Sequence, residues 1–450
     1  MENDNPLKKG LGVGSATAIC VGGMLGSGIY MAPQGLAQIS NPKLAVLAML
    51  ITGIGTLLLS ISFGRMSVRD PETGSVVVYT QKAFGDLPAF FVGWSYWCGC
   101  WLANGTIMIG GLSYFAYFFP SLAGTGFTKY GIVIAVVWFY TIINMIGVKE
   151  AGVFNLIITI IKVVPLIVIL IIAVMHFDPV TTTTSASAAT NSISSLPNGI
   201  AYCLWSFIGF EGITTVAGEV KRPNTILKAT IISVVIVLLL YICLIYFGAG
   251  ILDQATLANS ASPFADIIKA ATGGYWAGGF IAIAVLVSSF GCIGAWILSS
   301  ARITYTLGEK GLMPPAFSKV NKKNGAPTNG LIINAVLMSI VLLVAYFNKQ
   351  GNVYNFFMML STATFLVFYV FGAADEIALS KMNLKKLNVG RFISSSIMSL
   401  LAFCYAVYAL YGAGGVAVQY TFLLMLAGIP FFIYTKFSQK SKQLQSKYVM

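Results

Sequence analysis

Apolar runs separated by short polar connections fill the chain from one end to the other. A helix needs about 20 apolar residues to cross a bilayer. Runs near that length occur at Leu11–Met31, Leu44–Phe63, Leu87–Phe119, Ile132–Val148, Val153–Val174, Ile200–Val216, Ala229–Ile251, Tyr275–Leu298, Leu331–Phe347, Val353–Ala374, Phe392–Gly412 and Val416–Tyr434. The pattern predicts an all-α integral membrane protein with about twelve transmembrane helices in a single domain, residues 1–450. Two of these spans carry glycine interruptions. The first breaks at Gly26-Ser27-Gly28 within CVGGMLGSGIY, and the sixth around Gly209 to Gly212 within LWSFIGFEG. Glycine weakens a helix interior by about 1 kcal/mol relative to alanine, and in hydrocarbon each freed amide needs a partner. Irregular backbone therefore survives where it lines a polar cavity, and two such breaks in matching positions point to an inverted-repeat transporter. A half-helix starting near Ser27 presents N–H groups that favour an anion, while carbonyls freed in the sixth span favour an ammonium. The same glycines also suit close packing of small residues between helices. For Gly22, Gly23 and Gly26 alone both readings stay open; the second break tips the balance toward a zwitterion site.

Composition agrees with a membrane location: 57% of the 450 residues are hydrophobic and 9% charged, against about 25% charged in soluble domains. The formal charge of +13 would suit a nucleic-acid binder, but its distribution reads as topology. With the N-terminus inside, all Lys and Arg other than Lys162 fall on the inner side except Lys43, Lys129, Lys269 and Lys349. The positive-inside rule then places both termini in the cytoplasm of a multi-pass cell-membrane protein, and no nucleic-acid partner is called for. The opening MENDNPLKKG is polar, so the first span is read as its own insertion signal. All seven cysteines lie in predicted spans, which argues against a disulfide framework, and no ligand spacing suggests a metal. PVTTTTSASAATNSISSLPNG, from Pro179 to Gly199, reads as a flexible outer connector.

The runs GGMLGSGIY, SYWCGCWLANG, LWSFIGFEG followed by AGEVKRP, and GCIGAW resemble the amino acid, polyamine and organocation (APC) superfamily. Within it they are most similar to the basic amino acid and polyamine antiporters, which include arginine/agmatine exchangers. The resemblance covers nearly the whole chain, including the segment SASPFADIIK. It implies a LeuT-like 5+5 inverted repeat with helices 1 and 6 broken, the repeats at about 11–176 and 196–376 and two further helices at about 392–434. It implies that Gly26, Ser27 and Gly28 hold a substrate carboxylate, that carbonyls near Trp205 and Ile208 receive the α-ammonium, and that Trp205 closes over the bound molecule. Trp296 would stack on the distal cationic group, Asn104 and Thr364 would supply polar contacts, and Tyr96 with Glu211 would form the inner barrier. Two positions depart from the exchanger pattern. Gly372 stands where a tyrosine of the inner layer is expected, with Tyr369 within one turn, and Lys162 occupies the place of a small apolar residue.

Lys162 and Glu211 are the only ionisable side chains the pattern puts deep within spans, and intramembrane charge is costly enough to mark each as functional by default. Lys162 reads either as a structural tie between the first and fifth spans or as a proton-coupling group. Glu211 reads either as a group hydrogen-bonded to a neighbouring helix or as a gating or proton-linked residue. Trp94, Trp97 and Trp276 read as interface anchors, and the lone His176 as an interfacial residue. No catalytic cluster is present, so an enzyme is not expected, nor is a cofactor. The expected substrates are small-molecule amino acids and amines, exchanged by alternating access; the alternative is a proton-coupled importer using Lys162. The expected surroundings are the lipid bilayer, and the resemblance permits a homodimer.

Overall fold

A computed structural model of the chain describes residues 12–69, 75–119, 127–146, 151–184, 192–212, 220, 222, 224–321, 325–347, 353–382 and 389–448. Its helices in order are α1 (Val13–Met24), α2 (Ser27–Ile39), α3 (Pro42–Arg69), α4 (Ser75–Phe84), α5 (Asp86–Ser113), α6 (Phe127–Ile146), α7 (Ala151–Met175), α8 (Pro179–Thr184), α9 (Leu196–Trp205), α10 (Asn224–Gly248), α11 (Gln254–Asn259), α12 (Pro263–Thr272), α13 (Tyr275–Glu309), α14 (Thr328–Phe347), α15 (Val353–Met382), α16 (Val389–Gly412) and α17 (Gly415–Tyr448). Among the described residues seven helices are long and apolar enough to cross a membrane: α3, α10, α13, α14, α15, α16 and α17. An eighth span is the pair α1 and α2, bent by 44° at the expected break. The other expected spans overlap α5, the shorter apolar stretches Tyr130–Ile146 and Thr159–Met175, and α9. The end of the sixth expected span, from residue 213 to 216, lies outside the described residues.

Lipid gives helices no hydrophobic reason to associate, so tight pairs rely on small residues at the contact. The pairing of α3 with α10 uses this: a Cβ on Gly53 would sit 2.2 Å from Leu238 Cδ1, and one on Gly64 2.7 Å from Leu227 Cδ1. Burial then sorts inner helices from outer ones. The apolar window of α15 is 78% buried against 17% for α17, so α15 runs through the centre of the bundle and α17 along its margin. Phe422, Leu423 and Leu426 on α17 face outward.

Two expectations are corrected here. Trp94 and Trp97 are not interface anchors: both are buried, with Trp94 Nε1 donating to the Leu424 carbonyl (2.8 Å) and Trp97 Nε1 to Asn334 Oδ1 (2.5 Å). The reason is that α5 is an inner helix, covered at that level by α14 and α17. Trp276, at the start of α13, is 84% exposed, as an anchor should be. The connector from Pro179 to Gly199 also carries more structure than its composition suggests. It contains α8, a 3-10 turn at Ile193–Ser195 and the first turn of α9.

Candidate functional site

The α1 helix ends at Met24, Leu25 leaves the helical region, and Gly26 is extended (φ −123°, ψ −158°) before α2 begins at Ser27. No side chain caps α2, so its first-turn amides keep the unpaired N–H groups of a helix start. The second break mirrors the first. Beyond Trp205, the amides of Ser206, Phe207 and Ile208 reach back to Cys203 and Leu204, and Gly209 then takes φ +115°. The Gly209 amide, which would close the next turn on the Trp205 carbonyl, points to Glu211 Oε2 at 3.0 Å. The two breaks meet backbone to backbone. A Cβ on Gly23 would lie 3.1 Å from the Gly209 oxygen, and one on Gly28 would lie 2.9 Å from Trp205 Cδ1 and 3.0 Å from Ser206 Cα. From α10, the Tyr241 hydroxyl lies 3.2 Å from both the Met24 and the Ser206 carbonyl oxygens, one from each break.

Polar side chains collect around this junction. Ser27 Oγ, Ser206 Oγ, Trp205 Nε1, Tyr354 Oη and both amide atoms of Asn104 are buried and lack a hydrogen-bond partner among the described residues. Buried polar groups are nearly always paired, and each orphan costs about 1–3 kcal/mol. Tyr354 lies on the first turn of α15, and a Cβ on Gly110 of α5 would meet both its ring (2.7 Å) and Ser27 Cβ (3.2 Å). Asn104 sits one turn before Ile107, whose Cδ1 would be 3.9 Å from a Cβ on Gly26. The structure thus brings Gly26, Ser27, Gly28 and Trp205 together, puts the buried, unpaired Asn104 one turn from Ile107 beside them, and adds Tyr354, one of 21 tyrosines, which no sequence signal set apart.

Ile208 is buried in the turn after Trp205. Trp296 is half-buried on α13, edge-on to Phe365 with centroids 6.1 Å apart. The Thr364 hydroxyl donates to the Ser361 carbonyl of its own helix (2.6 Å) and faces Gly99, so it does not share in the unpaired set.

Beside the second break a carboxyl group meets two phenols. Glu211 accepts from the hydroxyls of Tyr96 (3.2 Å) and Tyr369 (2.9 Å). Phe63 stacks on Phe210 (5.8 Å) and Tyr96 packs on Phe368 (4.5 Å) beside them. The departure at Gly372 now has a physical account. A Cβ there would be 2.2 Å from Phe63 Cε1, so the Phe63 ring occupies that space, and Tyr369 supplies the hydroxyl from one turn earlier. Lys162 is buried on α7, its Nζ donating to the Gly22 carbonyl at 2.9 Å, while Tyr30 donates to the Lys162 carbonyl at 3.0 Å. The lysine thus bridges α7 to α1 four residues before the break.

Lys162 and Glu211 are not the only buried ionisable groups: Asp375 and Glu376 on α15 are both fully buried. Hydropathy ends the tenth apolar run at Ala374 and leaves these carboxyls to water. In the structure α15 continues to Met382, with α3, α4 and α16 packed over this end.

A helical membrane bundle that breaks two helices face to face and gathers unpaired polar groups at the junction has the architecture of a carrier for a small polar solute. The chain belongs to the amino acid permease family, whose sequence profile matches residues 11–438, and it is accordingly an amino acid transporter rather than an enzyme. It is 28% identical to an arginine/ornithine antiporter of Lactococcus lactis subsp. cremoris over 96% of this chain and 90% of the relative. A second arginine/ornithine antiporter of that organism is 30% identical over 94% and 83%. An arginine/agmatine antiporter of Chlamydia felis is 28% identical over 96% and 91%.

Proposed function

We propose that the protein exchanges a cationic amino acid, arginine in the first instance, for its decarboxylated amine or a related cation such as ornithine. It does so by alternating access through twelve spans in a 5+5 inverted repeat, in the plasma membrane with both termini cytoplasmic. The observation that carries this reading is the set of orphaned buried polar atoms at the uncapped start of α2, facing the open turn after α9. An α-carboxylate at the amides of residues 26–28 and an α-ammonium at the Trp205 turn would complete both breaks. Trp205 would then close over the substrate, and Trp296 would meet the side-chain cation, a contact worth about 0.5–2 kcal/mol. Names of relatives that pair arginine with ornithine or agmatine support the substrate class.

The same orphans account for exchange. An empty carrier must carry its unpaired groups through the occluded state, which substrate would otherwise satisfy, so the loaded form crosses faster. Lys162 acts in this reading as a fastener of α1 to α7. Proteoliposomes test it: labelled arginine should enter vesicles preloaded with arginine, ornithine or agmatine and fail to enter empty ones, and the preload that supports the fastest entry names the pair. Equal accumulation in empty vesicles under a pH gradient would replace exchange by proton-coupled uptake. In that case Lys162→Ala should abolish the gradient dependence.

A further inference from the structure

Asp375 and Glu376 are neighbours with opposite surroundings. Glu376 is paired with Arg69 of α3 (3.0 Å) and accepts from Ser380 (3.1 Å), Ser395 (2.6 Å) and Ser399 (3.3 Å); Arg69 also donates to Ser380. That set gives each carboxyl oxygen of Glu376 two partners. Asp375 has a single contact, from the Thr80 hydroxyl of α4 to Oδ2 (2.6 Å), and its Oδ1 has no partner among the described residues. Both carboxyls are fully buried.

The charged and titratable groups on the helices packed against this end are engaged away from Asp375. On α3, Arg69 serves Glu376, and Arg65 turns Nη2 to Met398 Sδ while its buried Nη1 has no partner among the described residues and makes no bond to Asp375. On α4, Tyr79 and Lys82 have interactions of their own. On α5, Asp86 pairs with Lys436 of α17, and Tyr96 binds Glu211, as does Tyr369 one step back on α15. Among the described residues no ion pair reaches Asp375; a buried carboxylate without a counter-charge is strongly disfavoured, so the packing of α4 onto α15 suits a neutral Asp375. Asp375 lies six residues past Tyr369, about 9 Å of helix rise, on the far side of the closed aromatic layer.

We propose that Asp375 is a proton-binding site whose occupancy is required for α4 and α15 to close over the inner end of the transport path. When that end opens, water reaches the carboxyl and it ionises; closing requires the proton back. A rise in pH therefore traps carriers open on that side and slows turnover, with the proton acting as an obligatory ligand of the closed form.

The proposal rests on the exchange reading, and exchange by the wild type at acid pH tests that reading separately. The experiment uses the full chain in proteoliposomes, arginine inside and labelled arginine outside, with pH equal on both sides and stepped upward. The wild type should show an alkaline limb falling about tenfold per pH unit, as one proton requires. Asp375→Asn, a permanently neutral isostere, should keep the acid plateau within about threefold and remain flat across that limb. A second variant guards against misfolding of the first: Thr80→Val removes the one hydrogen bond that the closed form makes to the neutral carboxyl, weakens closing and should move the limb to lower pH. Infrared difference spectra across the limb should lose a carboxylic-acid C=O band in the wild type that Asp375→Asn lacks. An Asp375→Asn protein that falls with pH like the wild type, or a Thr80→Val limb that does not move, overturns the proposal.

Discussion

Gly26 and Gly28 stand two residues apart, yet the structure assigns them opposite consequences when a methyl group is added. Gly26 is extended, a conformation open to any residue, and a Cβ there would meet only Ile107 Cδ1 at 3.9 Å and Cys292 Sγ at 4.0 Å. The protein has room, so Gly26→Ala should leave the stability of the free transporter within about 0.5 kcal/mol of the wild type. The methyl nevertheless projects between α5 and α13 at the start of α2, where the substrate carboxylate is proposed to sit. Crowding of one methyl into a packed site costs about 1–3 kcal/mol, a loss of roughly 5- to 150-fold in Kd. Gly28→Ala is the contrast. Its Cβ would press on Trp205 Cδ1 at 2.9 Å and on the backbone of Ser206 at 3.0 Å, so the two breaks must part and both folding and binding should suffer. Thermal unfolding of purified protein with and without arginine, together with equilibrium binding of labelled arginine, separates the effects. Gly26→Ala should melt like the wild type when empty and gain less from ligand, while Gly28→Ala should melt lower in both conditions. A Gly26→Ala protein with wild-type Kd would refute the placement of the anion at the α2 amides.

Tyr369→Phe should weaken the closure around Glu211 by about 0.5–1.5 kcal/mol, the net worth of one hydrogen bond, and more than Tyr96→Phe, whose bond is longer (2.9 Å against 3.2 Å). Accessibility labelling of an inner-side cysteine, rising more in the first variant, is the readout. Gly372→Ala should lower the melting temperature by overpacking Phe63, at about 1–3 kcal/mol, and adding Phe63→Leu in the same chain should restore it. Asp253 caps α11, accepting from Thr256 N (2.9 Å) and Oγ1 (2.6 Å), and these bonds hold its carboxyl below the usual carboxylate range. Its stabilisation is therefore complete above the ordinary carboxylate pKa and fades as pH falls through the lowered folded value. Asp253→Ala should cost about 1 kcal/mol at neutral pH and much less in acid, as measured by melting across the two conditions.

The first break was legible because glycine is rare enough inside an apolar run to stand out, and the bend between Met24 and Ser27 falls where CVGGMLGSGIY placed it. The second was legible up to Gly212, and residue 213 onward lies outside the described residues. Asp375 and Glu376 were missed because hydropathy reads one helix at a time, while their burial depends on α3, α4 and α16 covering the end of α15. Trp94 and Trp97 were misplaced for the same reason: a tryptophan near a span end looks identical whether lipid or another helix lies beside it. Tyr369 was visible as a substitute for the missing tyrosine at Gly372, but only the position of the Phe63 ring explains why the hydroxyl had to come from the earlier turn.

Tyr241 has one hydrogen and two claimants, the carbonyls of Met24 and Ser206. While the broken segments lie together, α10 holds both with a single atom. Any rocking that separates them leaves one oxygen empty-handed, so α10 works as a latch that releases one side at a time and favours returning the pair to register.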